Sequence, residues 1–475
     1  MLAAAAVLGT AGCTRDTERL VADEEIEHLR ARTLAAAQDN KERQCERPVL
    51  RGEPRAGPAD EALIAVMTLE GPLSGCAAAL EDIEALSDEI APTTDDGDQA
   101  PRVAAPLGDE PGPREQAIVA ACAALPAAVT RAASHRDACS SFSPGRRGAP
   151  SMRPFIHSAY AISAHLRAMT RAGDALGAAQ LGFDHVRIQQ DLLRGGGNWL
   201  FSMSAVATLY TLLPQLELVL SHPSLDDEML ETLAAELDAL AGTELHVAEI
   251  LRGDALWLDL YQSLPAFMPD GWQPPGGWPS GFEPSPPEPG IERIAEVETF
   301  SIDERDDAAL AWLATDGISR AHLEACPPNA SFEACAAALD RVAERFAEKA
   351  SARRSPGTSG GAVARREAVL AILKGVAAPS LRRYVERYAL RPAALAALRT
   401  RVEARRLVPA DGACPPRAAF DEPPLAPLLS PPDLGGQLSA RAGEGGAIEL
   451  WPPDWLAETD RFAPIVRVRC DAGAN

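Results

Sequence analysis

The chain has 475 residues, 46% of them hydrophobic, which is enough to bury one or two substantial cores. Aromatic residues make up only 5%, and Ala and Leu dominate the periodic stretches while β-branched residues are sparse there, which disfavours a sheet-based architecture. A formal charge of −23 argues against non-specific nucleic-acid binding by the chain as a whole.

The N-terminus carries the most specific signal. An apolar run over residues 2–8 leads into the small residues Thr10-Ala11-Gly12 and then Cys13. An apolar core, small residues and a cysteine form the end of a bacterial lipoprotein signal, in which the cysteine becomes the lipidated N-terminus. No positive charge precedes the run, and Thr10 stands where such signals usually carry Leu. Residues 1–13 are therefore read as a signal, with Cys13 anchoring the chain to a membrane outside the cytoplasm. Simple secretion, or an ordinary apolar helix with an incidental cysteine, are the alternatives.

Eight cysteines remain: Cys45, Cys76, Cys122, Cys139, Cys326, Cys335, Cys414 and Cys470. An even number in an exported chain fits disulfides. Pairing neighbours within one structural unit gives Cys45–Cys76, Cys122–Cys139, Cys326–Cys335 and Cys414–Cys470, although spacing alone leaves the connectivity open. There is no C-x-x-C and no H-E-x-x-H, so neither a metal nor another cofactor is expected. Free buried thiols are the cytosolic alternative.

Residues 14–150 read as an N-terminal helical region. Helices are expected over 20–37, over 60–69 and 74–90 as a hairpin around Gly71-Pro72, and over 114–133. An acidic Pro/Gly linker at about 91–113 is expected to be mobile. Residues 151–264 form the clearest block, a core of helical hairpins. Pro154 opens its first helix, Gly173 ends it and Asp174 caps the second. A third helix runs from about Asn198, ended or kinked at Pro214. Ser224 and Asp227 form a cap for the fourth, and Thr243 starts a fifth. Short breaks between helices of this length make neighbours antiparallel. The stretch 195–216 has no charge but holds several polar residues and glycines, which fits a buried core helix better than a membrane span.

Residues 265–290 are an insertion rich in Pro, Gly and Trp. A second helical region spans 291–406, with a capping box at Ser301 and Glu304 and an interruption at Pro392. Its segment 341–406 carries 16 basic against five acidic residues, a net +11 that leaves −34 on the remainder. Those arginines either line solvated helix faces and pair with the acidic body, or form a patch for an anionic surface. Residues 407–475 form a Pro/Gly-rich tail with short strands at 447–451 and 465–468, able to pair as a hairpin. The fold class is all-α: antiparallel helical hairpins in a bundle or short stacked array, with Pro/Gly-rich loops and a small irregular C-terminal segment containing short β-strands.

The run Leu166-Arg167-Ala168-Met169-Thr170-Arg171-Ala172-Gly173-Asp174, followed by Leu181-Gly182, the uncharged helix and Leu220-Ser221-His222-Pro223-Ser224-Leu225, resembles a family of uncharacterised helical proteins of myxobacteria and planctomycetes. The resemblance covers residues 161–242 and extends to the rest by order of elements only. It implies paired helices ahead of a Pro-rich C-terminal piece with short strands. No activity comes with it, and no functional residue is carried over.

Catalytic motifs are scarce. Gly357-Thr358-Ser359-Gly360-Gly361 matches G-x-S-x-G but follows a helix, whereas a nucleophile elbow needs a strand before it; it reads as an inter-helix turn. His157 and His165 lie eight apart on one helix and His185 lies on its neighbour, without metal-site spacing. Trp272 and Trp278 in the insertion, and Trp451 and Trp455 in the tail, are candidates either for stacking on a ligand or for pinning loops to the helical body. No catalytic, cofactor or metal residue is assigned. Two classes follow: a non-catalytic, lipid-anchored envelope scaffold or partner-binding module, its partner another envelope protein; or an envelope hydrolase acting on peptidoglycan or another glycan.

Overall fold

The computed structural model describes residues 19–44, 47–58, 60–81, 83–91, 104–137, 153–196, 199–258, 304–352, 361–377, 381–408, 414–443, 446–457 and 465–468. It is mostly helical, with a three-stranded antiparallel sheet near the C-terminus. The N-terminal part holds α1 (Asp23–Gln44), α2 (Asp60–Thr68), α3 (Ser74–Ala79), α4 (Ile83–Ile90), α5 (Pro113–Ala121) and α6 (Leu125–Ala133). A parallel pair, β1 (Arg55–Pro58) with β2 (His135–Asp137), ties its two ends together. The centre holds α7 (Arg153–Arg171), α8 (Ala175–Gly196), α9 (Trp199–Leu220), α10 (Asp227–Ala241) and α11 (Val247–Leu258). Then come α12 (Glu304–Ala325), α13 (Phe332–Ala352), α14 (Ala362–Ala377) and α15 (Arg382–Arg406). The tail adds α16 (Leu425–Leu428), β3 (Ser439–Ala442), β4 (Ile448–Trp451), α17 (Asp454–Ala457) and β5 (Val466–Val468).

Three mutually packed helices, α7, α8 and α9, form the hub. α6 and α10 close on α8, and α15 lies along α9 and α10. One continuous apolar core runs from Leu63 on α2 through this hub to Val466 and Val468 on β5. Gly182 lets α8 approach α9 closely: a Cβ there would stand 2.6 Å from Leu216 Cδ2. α9 includes Ser202–Leu220, which among the described residues is the one helix long and apolar enough to cross a membrane; 67% of it is buried inside the fold, as a core helix requires.

Local signals explain many boundaries. Gly173, at φ 84°, ends α7, and Asp174 N donates to Met169 O across the turn. The Asp174 carboxylate then accepts from Gly177 N at the start of α8. The pairing expected of 447–451 with 465–468 is present as β4 against β5, and β3, which the sequence did not suggest, adds to the other edge of β4.

Several boundaries differ from expectation. The single helix expected over 114–133 is two, α5 and α6, bent by 60°; Pro126 in the first turn of α6 cannot donate to a preceding turn. The helix expected over 74–90 divides into α3 and α4. α9 continues past Pro214 and α15 past Pro392. A helix-interior proline costs about 3 kcal/mol, but Leu212, Leu213, Leu216, Leu390, Ala393 and Leu395 around these two are all buried, and that packing outweighs the loss. The cap of α10 is Asp226, accepting from Met229 N, and not Ser224 with Asp227; Ser224 instead pairs with His222. α11 starts at Val247 rather than at Thr243. His246 Nδ1 accepts from Ala248 N there, while Glu249 accepts from His246 N. The described end of the acidic linker, residues 104–112, is not loose. Arg167 donates to Ala105 O and Pro106 O, and Arg171 to Gly108 O.

Two disulfides lie among the described residues. Cys326–Cys335 closes the turn between α12 and α13, as expected, with 4.9 Å between its Cα atoms. Cys76 pairs with Cys122, with 4.5 Å between Cα atoms, which replaces both expected pairings Cys45–Cys76 and Cys122–Cys139. Packing of α3 on α5 brings the two sulfurs together inside the core. Cys414 is also disulfide-bonded. Cys13, Cys45, Cys139 and Cys470 lie outside the described residues, as do Trp272, Trp278, Ser301, Thr358 and Ser359.

Candidate functional site

The most polar place in the fold is its centre. α8 is surrounded by helices, so Asp184, His185, Arg187, Gln189, Gln190 and Asp191 are all buried on it. Burying so many polar groups is tolerable only if each finds partners.

Arg391, on α15, is the anchor. Its guanidinium donates to Glu244 Oε1 at 2.8 Å, to Gln189 Oε1 at 2.7 Å and to Ala205 O at 3.0 Å. Glu244 also accepts from Gln190 Nε2 at 2.8 Å and from the Tyr388 hydroxyl at 2.9 Å. Burial pushes the Glu244 carboxyl up, but Arg391 and these two donors override it and hold it below its ordinary value. Burial, reinforced by Glu244, drives the Tyr388 hydroxyl well above its ordinary value. Arg187 extends the network, donating to Gln190 Oε1, Thr243 Oγ1 and Pro48 O.

From Gln189 a chain of hydrogen bonds continues in one direction. Because the Gln189 carbonyl accepts from Arg391, its amide nitrogen faces His185 Nδ1, 3.1 Å away, and donates to it. His185 Nε2 therefore carries the proton and donates to Ser158 Oγ at 2.9 Å, and Ser158 in turn donates to Phe155 O at 2.6 Å. Burial lowers the His185 pKa to about 3, so the ring is neutral. It stacks on Phe155 with centroids 5.3 Å apart. Ser158 and His185 thus touch, yet the polarity is the reverse of a nucleophile with its base: the imidazole donates, and the hydroxyl proton is committed to a backbone carbonyl.

An apolar cleft opens above Tyr388 between α11 and α15. Val247, Ile250, Leu251, Leu381, Tyr384, Val385 and Ser202 line it with Tyr388, and its free space is about 340 Å³ with open solvent included. No carboxylate lines it.

Among the described residues, the tryptophans and histidines singled out by sequence have separate partners. Trp451 on β4 is half-buried, with Arg441 4.5 Å from its ring centre and its Nε1 donating to Glu449. Trp455 on α17 packs against the core. Both pin the tail. His157 lies against Arg153, and His165 lies 3.1 Å from Cys122 O; burial is the chief cause that lowers the pKa of both. Among the described residues, no group of three His, Cys, Asp or Glu side chains is placed to hold a metal ion.

The arginines of the basic segment turn mostly inward. Arg391 holds Glu244, Arg399 holds Asp238 and Glu403, Arg401 donates to Ser221, and Arg405 caps the carbonyls of Leu220, His222 and Leu225. Arg366 reaches Glu25 and Arg382 reaches Asp340.

Sequence reading missed Arg391, Glu244, Gln189 and Gln190. The available signal was the cluster of polar residues Asp184, His185, Arg187, Gln189, Gln190 and Asp191 within one predicted helix. Comparison with protein-family models, with curated proteins and with solved structures yields no match for this chain. No residue role is therefore transferred from a relative, and the likeness noted for residues 161–242 rests on those residues alone.

Proposed function

We propose that this chain is an exported, lipid-anchored protein of the cell envelope that acts without catalysis, as a rigid helical scaffold or partner-binding module. The observation that carries this reading is the pair of buried disulfides, Cys76–Cys122 and Cys326–Cys335. Structural disulfides belong to oxidising compartments, and the lipoprotein-like run ending at Cys13 supplies a route there. The internal ion pairs support the scaffold role. The buried carboxylates Glu115, Asp184, Asp191, Glu236 and Glu244 are each engaged by a guanidinium. A glycan hydrolase needs two carboxylates facing one cleft, and no described observation favours that alternative. For an anionic partner surface, the outward-facing arginines of α13 and α15 are Arg341, Arg345 and Arg383.

The test is fractionation of cells expressing the tagged full chain and its Cys13→Ala variant. The intact protein is expected in the membrane fraction and the variant in the soluble envelope fraction. Alkylation before reduction is expected to leave Cys76, Cys122, Cys326 and Cys335 unlabelled. Recovery of the intact chain from the cytosol with these four thiols alkylated refutes the reading.

A further inference from the structure

Three ion pairs tie the start of the described chain to helices far along it. Arg19, just before α1, reaches Asp306 on α12 at 3.4 Å. Arg32 on α1 pairs with Asp316 on α12. Arg366 on α14 reaches back to Glu25 on α1 at 2.6 Å. Against the hub, α1 touches chiefly α8 and α11. Val21, Ile26 and Leu29 are buried on this segment, but they lie outside the continuous apolar core that begins at Leu63.

These pairs differ from those that fasten the hub. Arg391 and Asp191 are buried with their partners, whereas the member of each pair on the α1 side is partly exposed: 35% for Arg19, 37% for Arg32 and 32% for Glu25. Pairs in contact with solvent are weakened by salt, and buried ones much less. Two of the three clasps also have a substitute partner close at hand. Arg19 pairs with Asp23 at 2.6 Å, and Asp316 with Arg320 at 3.1 Å, so neither group is left alone when α1 lifts away. We propose that residues 19–44 are an arm clasped by charge, which opens from α12 and α14 while the hub stays folded, and opens more often as ionic strength rises.

An element outside the main core opens locally at lower cost than the whole fold does. The position of this one gives the opening a consequence. Cys13 stands six residues before Arg19, so the arm is the joint between the proposed lipid anchor and the helical body. α1 has 22 residues and spans about 33 Å as a helix. Closed, it holds the body beside the anchor; open, it lets the body stand off by up to about that length. This consequence rests on the lipid-anchored reading above, and the clasp itself does not.

Hydrogen exchange measured by mass spectrometry on the full chain, at one pH and in sodium chloride of about 0.05 M and about 0.5 M, tests this. Peptides covering α1 are expected to lose about threefold in protection at the higher salt, while those of α7 stay within about 1.5-fold. At the lower salt, Glu25→Arg sets two guanidinium groups together and Arg366→Glu two carboxylates. Each is expected to lower protection of α1 about fivefold. The double variant restores the pair in reverse and is expected to return to within about twofold of the wild type. A wild type without salt dependence in α1, an equal loss in α7, or a double variant no better protected than the singles overturns the clasp. The salt comparison needs no variant, so it stands if a charge reversal prevents folding. Cys13→Ala is expected to give the same exchange, so failure of the lipid-anchored reading is told apart from failure of the clasp.

Discussion

Replacing Arg391 by Met is the most direct probe of the hub. The methionine matches the stem of the side chain but removes the guanidinium that holds Glu244, and it leaves Gln189 Oε1 and Ala205 O without that donor. Breaking a buried ion pair on one side costs about 3–5 kcal/mol, chiefly because the remaining charge stays buried. Glu244 keeps its bonds from Gln190 and Tyr388, so the expected loss lies near the lower figure, about 3 kcal/mol. Urea unfolding followed by far-ultraviolet circular dichroism measures it, as a lower midpoint with an unchanged slope. Two further results distinguish an orphaned charge from lost packing. Adding Glu244→Met to Arg391→Met is expected to recover stability, because the orphaned carboxylate is gone. The single variant's deficit is also expected to shrink in acid: without Arg391, burial raises the Glu244 carboxyl, so its stability contribution is present at low pH and lost as pH rises through the raised value. A loss below about 1 kcal/mol for Arg391→Met, or a double variant weaker than the single, would falsify the account of the hub as a mutually compensated polar core.

The Cys76–Cys122 bridge closes a separation of 46 residues; its removal by the double substitution to Ala is expected to cost about 4 kcal/mol through the unfolded state, and denaturant midpoints of the oxidised protein with and without the bridge check it, a difference below about 1 kcal/mol counting against a structural role. Gly435 has φ +79° and a Cβ there would stand 2.7 Å from Glu333 Cβ, so Gly435→Ala is expected to destabilise by about 2 kcal/mol or more, from strain plus overpacking; thermal melting of the variant reads this, and an unchanged midpoint refutes it. His185 and His322 titrate at about 3 and about 4 when folded, so the unfolded chain takes up protons below its ordinary histidine value while the folded one does not, and stability contributed by these rings falls as pH drops from about 6.5. His185→Gln is expected to flatten that fall by about 1.4 kcal/mol per pH unit between pH 6 and 4; guanidinium unfolding across this range gives the slope, and an identical slope in the variant shows that the ring is not held neutral.

The parts of the fold that local chemistry decides were legible in the chain. Gly173 and Asp174 mark the α7–α8 turn because one supplies a left-handed backbone and the other a capping oxygen. Cys326 and Cys335, nine residues apart, needed only one turn to meet. The parts decided by packing were not. Pro214 read as a helix end or kink and Pro392 as an interruption, since a proline's local cost is visible in sequence while the burial that offsets it belongs to neighbouring helices. Cys76 and Cys122 meet because α3 lies on α5, an adjacency that the spacing of cysteines does not encode.

The charge layout makes the same point with a functional consequence. A segment carrying +11 beside a remainder of −34 looks, in one dimension, like a surface for an anionic partner. In the fold, Arg391 meets Glu244, 147 residues away, Arg399 meets Asp238, 161 away, and Arg405 closes the carbonyls at the end of α9. These three arginines fasten α15 to the helices beside it. Guanidinium groups suit that task, because a planar fork can satisfy a carboxylate and a carbonyl at once where an ammonium cannot. It follows that neutralising Arg391 or Arg405 weakens the fold, whereas neutralising Arg341, Arg345 and Arg383, which face outward, leaves stability within about 0.5 kcal/mol. If those three are also replaced without loss of binding to anionic lipid vesicles, then the basic stretch serves assembly of the chain and the partner surface lies elsewhere.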